Sequence, residues 1–362
     1  MTGLYIHIPF CRRKCFYCDF FSVKYDETLA DKYIGSLGAH AAQYLKTAID
    51  TVYIGGGTPS VLSENQIEKL LNLIAGAFDL SGLKEFTFEL NPESASKRKF
   101  GILRSAGVNR ISLGLQSDDD TSLKLLGRVH DFKTFVSAVD DARDCGFENI
   151  NLDLIYGFPG QTLKEWKRAL VNALSFKSPH ISLYPLSVEQ GTPFYDRGVQ
   201  TDDALQKDMY EAAEQEFAKA GLIHYEISNW AKRGFESLHN LNYWRNSDYL
   251  ALGPGACGYF GKARYTNVKN IKEYIDLIRL GDDVRTDVEI IDEKTFETEN
   301  IILGLRLLEE GVHRKNFKSP ANTAALEEFL RQKILICDSE KIKLAKEYVF
   351  VSNQVLSKFI PD

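Results

Sequence analysis

The sequence predicts an α/β protein: an incomplete parallel (β/α)6 barrel, followed by a smaller, mainly helical C-terminal domain. Two observations carry the barrel. Short β-rich runs alternate with longer amphipathic stretches from residue 3 to about 228, and most of those runs end on a polar or glycine-rich group. A third observation sets the boundary: beyond residue 228 the regular alternation stops.

The expected strands are Leu4–Ile8, Thr51–Ile54, Glu85–Leu90, Arg110–Leu115, Asn151–Ile155 and His180–Tyr184. Between them lie helical patterns such as Glu64–Phe78, where Ile67, Leu70, Leu71, Ile74 and Phe78 recur at helical spacing. Consecutive βα units imply parallel pairing with helical crossovers. Alternation alone does not separate an open sheet from a barrel. The strand ends favour the barrel: Cys11 follows the first, Gly55-Gly56-Gly57-Thr58 the second, Glu89 closes the third and Gln116 follows the fourth, while Asp153 lies within the fifth. A site fed by most strand ends is how a βα barrel builds its active face, whereas an open sheet gathers its ligand at one switch point.

The expected domains are 1–228 for the partial barrel and 229–362 for the remainder. Residues 229–268 are rich in Asn, Gly and aromatics and read as a long functional connection. Helices are expected over Asn270–Leu280 and Glu293–Glu309. A helix at Leu326–Leu335 and a hairpin of Lys341–Ala345 with Tyr348–Val351 would be compatible with a winged-helix-like end.

The chain has 362 residues, a formal charge of −6, 44% hydrophobic and 26% charged residues, the profile of a globular protein without a nucleic-acid footprint. No apolar run approaches the ~20 residues that span a bilayer, and the strand-like start leaves no room for a targeting segment, so a cytoplasmic location is expected. Three of the six cysteines fall within eight positions, while Cys145, Cys257 and Cys337 are scattered. Clustered thiols in a reducing compartment suggest metal, scattered ones core packing.

Cys11-x-x-x-Cys15-x-x-Cys18 is the most specific signal. Thiolates suit iron–sulfur clusters and zinc, and one tight loop lets several sulfurs converge. Three ligands leave one iron of a [4Fe–4S] cubane uncapped, free to chelate the amino and carboxylate groups of S-adenosylmethionine. The alternative is structural zinc completed by His7 or Asp19, but zinc sites usually draw on a second distant pair, which is missing here. Gly55-Gly56-Gly57-Thr58-Pro59 lacks the context of a dinucleotide fingerprint and instead permits close backbone approach to a ligand. Glu89, Gln116, Arg128 and Asp153 read singly as surface polar residues. Together they supply acceptors for ribose hydroxyls and an ammonium, and a guanidinium for a carboxylate.

The ordered strings LYIHIPFCRRKCFYCDF, YIGGGTPS, FELNPES, ISLGLQS, LGRVH and NLDLIYGFPGQT resemble the coproporphyrinogen-III-oxidase-like radical SAM proteins, densely over the first ~230 residues. The resemblance implies a cluster on Cys11, Cys15 and Cys18 with S-adenosylmethionine above it. Tyr5 and Tyr17 would flank that ligand, Gly56, Gly57 and Thr58 would take its methionine end, and Glu89, Gln116, Arg128 and Asp153 the remainder. One branch of the family, the oxygen-independent oxidase, decarboxylates two propionates of coproporphyrinogen III; the other, HemW, is a heme chaperone. The chain departs from the oxidase in having Asp19-Phe20 where that branch carries a further cysteine, and in lacking its N-terminal extension. Both departures argue against oxidase activity.

His239-Asn240-Leu241-Asn242-Tyr243-Trp244 matches the H-N-x-x-Y-W motif of the chaperone branch. His239 offers an imidazole to iron, and Tyr243 and Trp244 offer aromatic surface to a porphyrin. On spacing alone a buried histidine among aromatics is the commoner arrangement. His224, His313 and Cys257 are the next ligand candidates. The implied partners are heme-accepting proteins, respiratory hemoproteins among them, and an electron donor for the cluster; a homodimer is left open. A tRNA-modifying radical enzyme is disfavoured because the C-terminal third is not basic.

Overall fold

The computed structural model describes residues 1–360. Strands β1 (Gly3–Ile8), β2 (Thr51–Gly56), β3 (Glu85–Leu90), β4 (Arg110–Gln116), β5 (Asn149–Tyr156) and β6 (His180–Pro185) pair in sequence order, each parallel to the next. They form the middle of a twelve-stranded sheet that is open at both ends. Residues from β2 through β6 line one common cavity with the loop after β1, so the sheet curls around it. The expected incomplete parallel barrel is present.

Parallel strands covered on both faces usually read as continuous apolar runs. Here they alternate. One face of each strand carries the core: Ile6, Val52, Ile54, Phe86, Phe88, Ile111, Leu113, Leu152, Leu154, Ile181 and Leu183 are buried. The opposite face carries Thr51, Glu85, Thr87, Arg110, Ser112, Asn151, His180 and Ser182, also buried, which makes the barrel interior polar. The period of two assigns the faces. Burial without hydrogen bonds would cost each such group several kcal/mol on the order of ~2–7, and the interior pairs them: Ser112 donates to Asp153 (2.8 Å), Asn151 to Ser112 (2.8 Å), and His180 bonds Asn151 (2.6 Å) and the Tyr225 hydroxyl (2.9 Å).

The outer helices start where capping chemistry tells them to. Helix Glu64–Ala77 opens on a capping box of Ser63 with Gln66, and Leu163–Ser175 on one of Thr162 with Glu165. Each cap is worth about 1 kcal/mol. The first buries Ile67, Leu70, Leu71 and Ile74, the second Trp166, Ala169, Leu170 and Ala173.

Past β6 the structure departs from expectation. β7 (Ile223–Glu226) and β8 (Asn229–Ala231) pair antiparallel, so residue 228 lies in the turn between paired strands and not at a break. β9 (Tyr249–Leu252) returns to the far side and runs parallel beside β1. β10 (Cys257–Phe260), β11 (Ala263–Asn267) and β12 (Arg285–Ile290) then extend that edge antiparallel. The segment after 228 carries the expected helices and also adds strands to the barrel's own sheet.

Helix Ile271–Leu280 lies between β11 and β12, and Glu293–Gly304 follows β12. The terminal hairpin pairs Leu335–Asp338 with Lys341–Leu344 after helix Pro320–Arg331, and Val312–His313 joins it as a third strand. The strand expected at Tyr348–Val351 is replaced by a 3-10 turn over Lys346–Tyr348. Among the described residues no helix is long and apolar enough to cross a membrane.

Candidate functional site

β1 runs straight into the cysteine loop. Cys11 is buried at its start, Cys15 and Cys18 are half-buried, and all three are free thiols. The loop is tied down by backbone bonds from Phe16 to Leu126 (3.1 Å) and from Tyr25 to Cys11 (2.9 Å). Burial raises the Cys11 thiol and pushes Cys18 up to about 11, so both are neutral without a cation beside them. Thiolate ligation to a metal therefore releases protons.

The glycines explain themselves here. A Cβ on Gly57 would stand 2.8 Å from the Phe10 carbonyl, 3.0 Å from that of Ile8 and 3.1 Å from Cys11 Sγ. A Cβ on Gly55 would stand 2.8 Å from Glu89 Oε2. The β2 turn can thus press against the cysteine loop only because Gly57 carries no side chain, and the bare Gly55 leaves room for Glu89. Its next residue, Thr58, donates to Cys11 Sγ at 3.5 Å, and Arg128 reaches Cys15 Sγ at 3.6 Å.

A cavity of about 440 Å³ opens between this loop and the strand ends. Cys11, Cys15, Cys18 and Tyr17 border it on one side, and Gly56, Gly57 and Thr58 on another. Glu89, Gln116, Arg128 and Asp153, from four successive segments of the barrel, complete its wall. Arg128 is held by Asn91 Oδ1 at 2.7 Å and the Gly114 carbonyl at 3.4 Å. Gln116 has φ 63°, a left-handed conformation rare for a residue with a side chain and one that clusters at ligand sites. Burial raises Glu89 to about 7, although the hydrogen bond from Tyr53 works the other way, and burial likewise raises Asp153.

Tyr5 is the exception among the expected ligand-flanking residues. It lines a neighbouring, larger cavity, with its hydroxyl 3.0 Å from His7 Nδ1. Asn91, Ser112, Tyr184, Leu186 and Ser187 also line the smaller cavity and were not expected there. Asn91 and Ser112 were readable from the polar alternation along β3 and β4. Leu186 and Ser187 follow β6 without such a pattern.

Among the described residues no three His, Cys, Asp or Glu side chains converge on a single ion. The proposed zinc partner His7 is engaged elsewhere: its ring nitrogens bond the Tyr5 hydroxyl (3.0 Å) and the Phe21 carbonyl (2.8 Å).

The H-N-x-x-Y-W segment forms helix Leu238–Trp244, which closes the barrel floor opposite the cysteine loop. Glu85 caps it, accepting from the Leu238 and His239 amides at 2.8 and 3.1 Å, where a carboxylate also complements the helix dipole. The His239 ring is turned into the packed floor. It is fully buried, with Nδ1 2.9 Å from Thr51 Oγ1 and Nε2 2.8 Å from the Tyr243 hydroxyl. Burial holds it down to about 3, and the nearby Arg110 charge acts the same way, so the imidazole is neutral. Asn240 is half-buried, with its amide capped by Ser237. Tyr243 and Trp244 line the larger cavity.

His224 is stacked on Trp230 (centroids 3.9 Å apart) and His313 pairs with Glu340 at 2.8 Å, so neither reaches a cavity wall described above. Of the scattered cysteines, Cys145 packs half-buried against the main core, as expected, whereas Cys257 and Cys337 are exposed.

The Radical SAM superfamily model matches residues 5–171. A protein named "Heme chaperone HemW" from Lactococcus lactis is 38% identical, with 100% of this chain and 98% of that one aligned. Another of that name from Bacillus subtilis is 39% identical over 99% of each. The solved structure of coproporphyrinogen III oxidase (HemN) from Escherichia coli superposes with a TM-score of 0.87 over 99% of this chain and 89% of that one, at 19% identity, which shows a shared fold. Full-length identity at this level, on a barrel that carries the three-cysteine loop, settles the family: the chain belongs to the HemW family of radical SAM proteins.

Proposed function

We propose that this protein is a heme chaperone: it binds heme and passes it to acceptor proteins, while carrying a [4Fe–4S] cluster on Cys11, Cys15 and Cys18 with S-adenosylmethionine beside it. The observation that carries the reading is the likeness, along almost the whole chain, to relatives named heme chaperones. The donor set supports the cofactors, since three thiols share one wall of a cavity whose other walls hold carboxylates, an amide and a guanidinium.

Held by Cys11, Cys15 and Cys18, a cluster would supply Lewis-acid and one-electron chemistry toward S-adenosylmethionine. The rest is the work of the chain. Gly56 and Gly57 bring backbone amide and carbonyl groups close, and Arg128 attracts the carboxylate. Glu89 and Asp153 accept from an ammonium and ribose hydroxyls, and Gln116 can donate or accept. Tyr17 covers the ligand from the loop side and keeps water away. Acceptor hemoproteins, an electron donor and a cytoplasmic setting belong to the same proposal.

The test separates carriage from catalysis. Cluster-reconstituted protein, reductant, S-adenosylmethionine and coproporphyrinogen III are combined without oxygen, with the oxidase as positive control. The reading expects bound heme in a parallel titration and no decarboxylated product. Multiple turnovers of decarboxylation would overturn it.

A further inference from the structure

Beside the cluster cavity lies a second one of about 950 Å³, and the two share Lys14, Asp19, Phe20, Gly56 and Glu89 on their common wall. Resting on the heme reading above, we propose that heme occupies this larger cavity with the Cys257 thiolate as its iron ligand.

The topology puts the residues together. β1 and β9 are parallel neighbours, so their C-terminal ends emerge on the same face. β1 leads into the cysteine loop, and β9 leads through a Gly253–Gly255 turn to Cys257. Both glycines have positive φ (98° and 73°), and a Cβ on Gly253 would stand 2.6 Å from the His7 carbonyl. The turn is thereby pressed against β1, which sets a cysteine remote in sequence beside the cluster loop.

The chemistry of the walls fits a flat, largely apolar ligand with anionic edges. Tyr243, Trp244 and Tyr249 give aromatic surface, with Tyr243 and Tyr249 edge-to-face at 4.5 Å. Lys14 and Lys269 line the cavity and, among the described residues, take part in no ion pair; both suit propionate carboxylates. Arg264, a third cation there, is already paired with Glu299.

Selection of the iron ligand follows from which donors are engaged. His7, the histidine on the cavity wall, has both ring nitrogens bonded, and so has His239 below it. Cys257 is exposed, with only a 3.4 Å contact to Thr266 Oγ1. Thiolate is an established axial ligand for ferric heme. On ligation the thiol proton passes to solvent, sulfur donates its pair to iron(III), and the water held by free heme leaves. No oxidation state changes.

The test is a titration of the full-length, anaerobically reconstituted protein with ferric heme, followed by absorption and electron paramagnetic resonance. The oxidised cluster is diamagnetic and leaves the heme signal clear. The proposal expects the rhombic high-spin signal of a thiolate-ligated, five-coordinate heme in the unsubstituted protein and in Cys337→Ser. It expects loss of that signal, and at least about tenfold weaker binding, in Cys257→Ser. An unchanged signal in Cys257→Ser, its loss in Cys337→Ser, or a nitrogen-only ligand signature in the unsubstituted protein would overturn the ligand assignment and leave heme carriage standing. Failure of the unsubstituted protein to bind heme would overturn both.

Discussion

The Tyr53 hydroxyl donates to Glu89 Oε1 at 2.5 Å while its ring lies against His239, with centroids 5.3 Å apart. One side chain therefore touches both the wall of the cluster cavity and the H-N-x-x-Y-W helix at the floor. Glu89 also accepts from the Gly56 amide at 3.3 Å, which ties the same contact to the glycine turn. Removing the hydroxyl in Tyr53→Phe takes a donor from a buried carboxylate, an interaction worth about 1.5–3 kcal/mol. We expect S-adenosylmethionine to bind roughly tenfold more weakly, measured by calorimetry, with cluster iron content unchanged.

The Glu89 carboxyl gives a pH signature. Its folded value of about 7 lies above the ordinary carboxylate value, chiefly through burial, so the fold favours the protonated form. That contribution to stability is complete below the unfolded value, around 4.5, and is lost as pH rises through about 7. In ligand-free protein, the thermal midpoint should therefore fall between about pH 5 and about pH 8, and fall less in Glu89→Gln. Equal slopes for the two proteins would remove Glu89 as the source.

Gly57→Ala tests the close approach beneath the cysteine loop. The added methyl meets two backbone carbonyls and Cys11 Sγ, none of which is the free end of a flexible side chain. Overpacking of this kind costs about 1–3 kcal/mol, and relief requires the loop to shift. Iron and sulfide content after reconstitution should drop well below that of the unsubstituted protein, while far-ultraviolet circular dichroism is retained.

His239→Ala should act first on stability. It leaves Thr51 and Tyr243 without partners and opens a cavity beside Tyr53. Loss of about 2–4 kcal/mol is expected by denaturant unfolding. A variant as stable as the parent protein would show that the ring is not part of the floor.

Much of the barrel was readable because its information is local. Six β-rich runs, helical spacing between them and caps such as Ser63 and Thr162 are patterns within a dozen residues. The cysteine loop was equally plain, since eight consecutive positions bring the three thiols together. What the sequence hid is non-local. Nothing near Tyr249 announces that β9 pairs with β1, so neither the sheet's extension past residue 228 nor the placement of Cys257 could be anticipated. The polar barrel interior is present in the sequence as alternation in EFTFEL and RISLGLQ, but the same alternation also fits a sheet with one solvated face. The i, i+4 relation of His239 and Tyr243 holds, but their shared face points partly into the barrel floor, where hydrogen bonds take up the imidazole.

Heme transfer is the central claim, and one measurement addresses it most directly. Heme-loaded, cluster-reconstituted protein is mixed without oxygen with an apo-hemoprotein acceptor, and the acceptor's Soret band is followed in time. The account predicts acceptor filling at a rate that rises with acceptor concentration and exceeds spontaneous heme release. Filling no faster than that release, whatever the acceptor concentration, would contradict it.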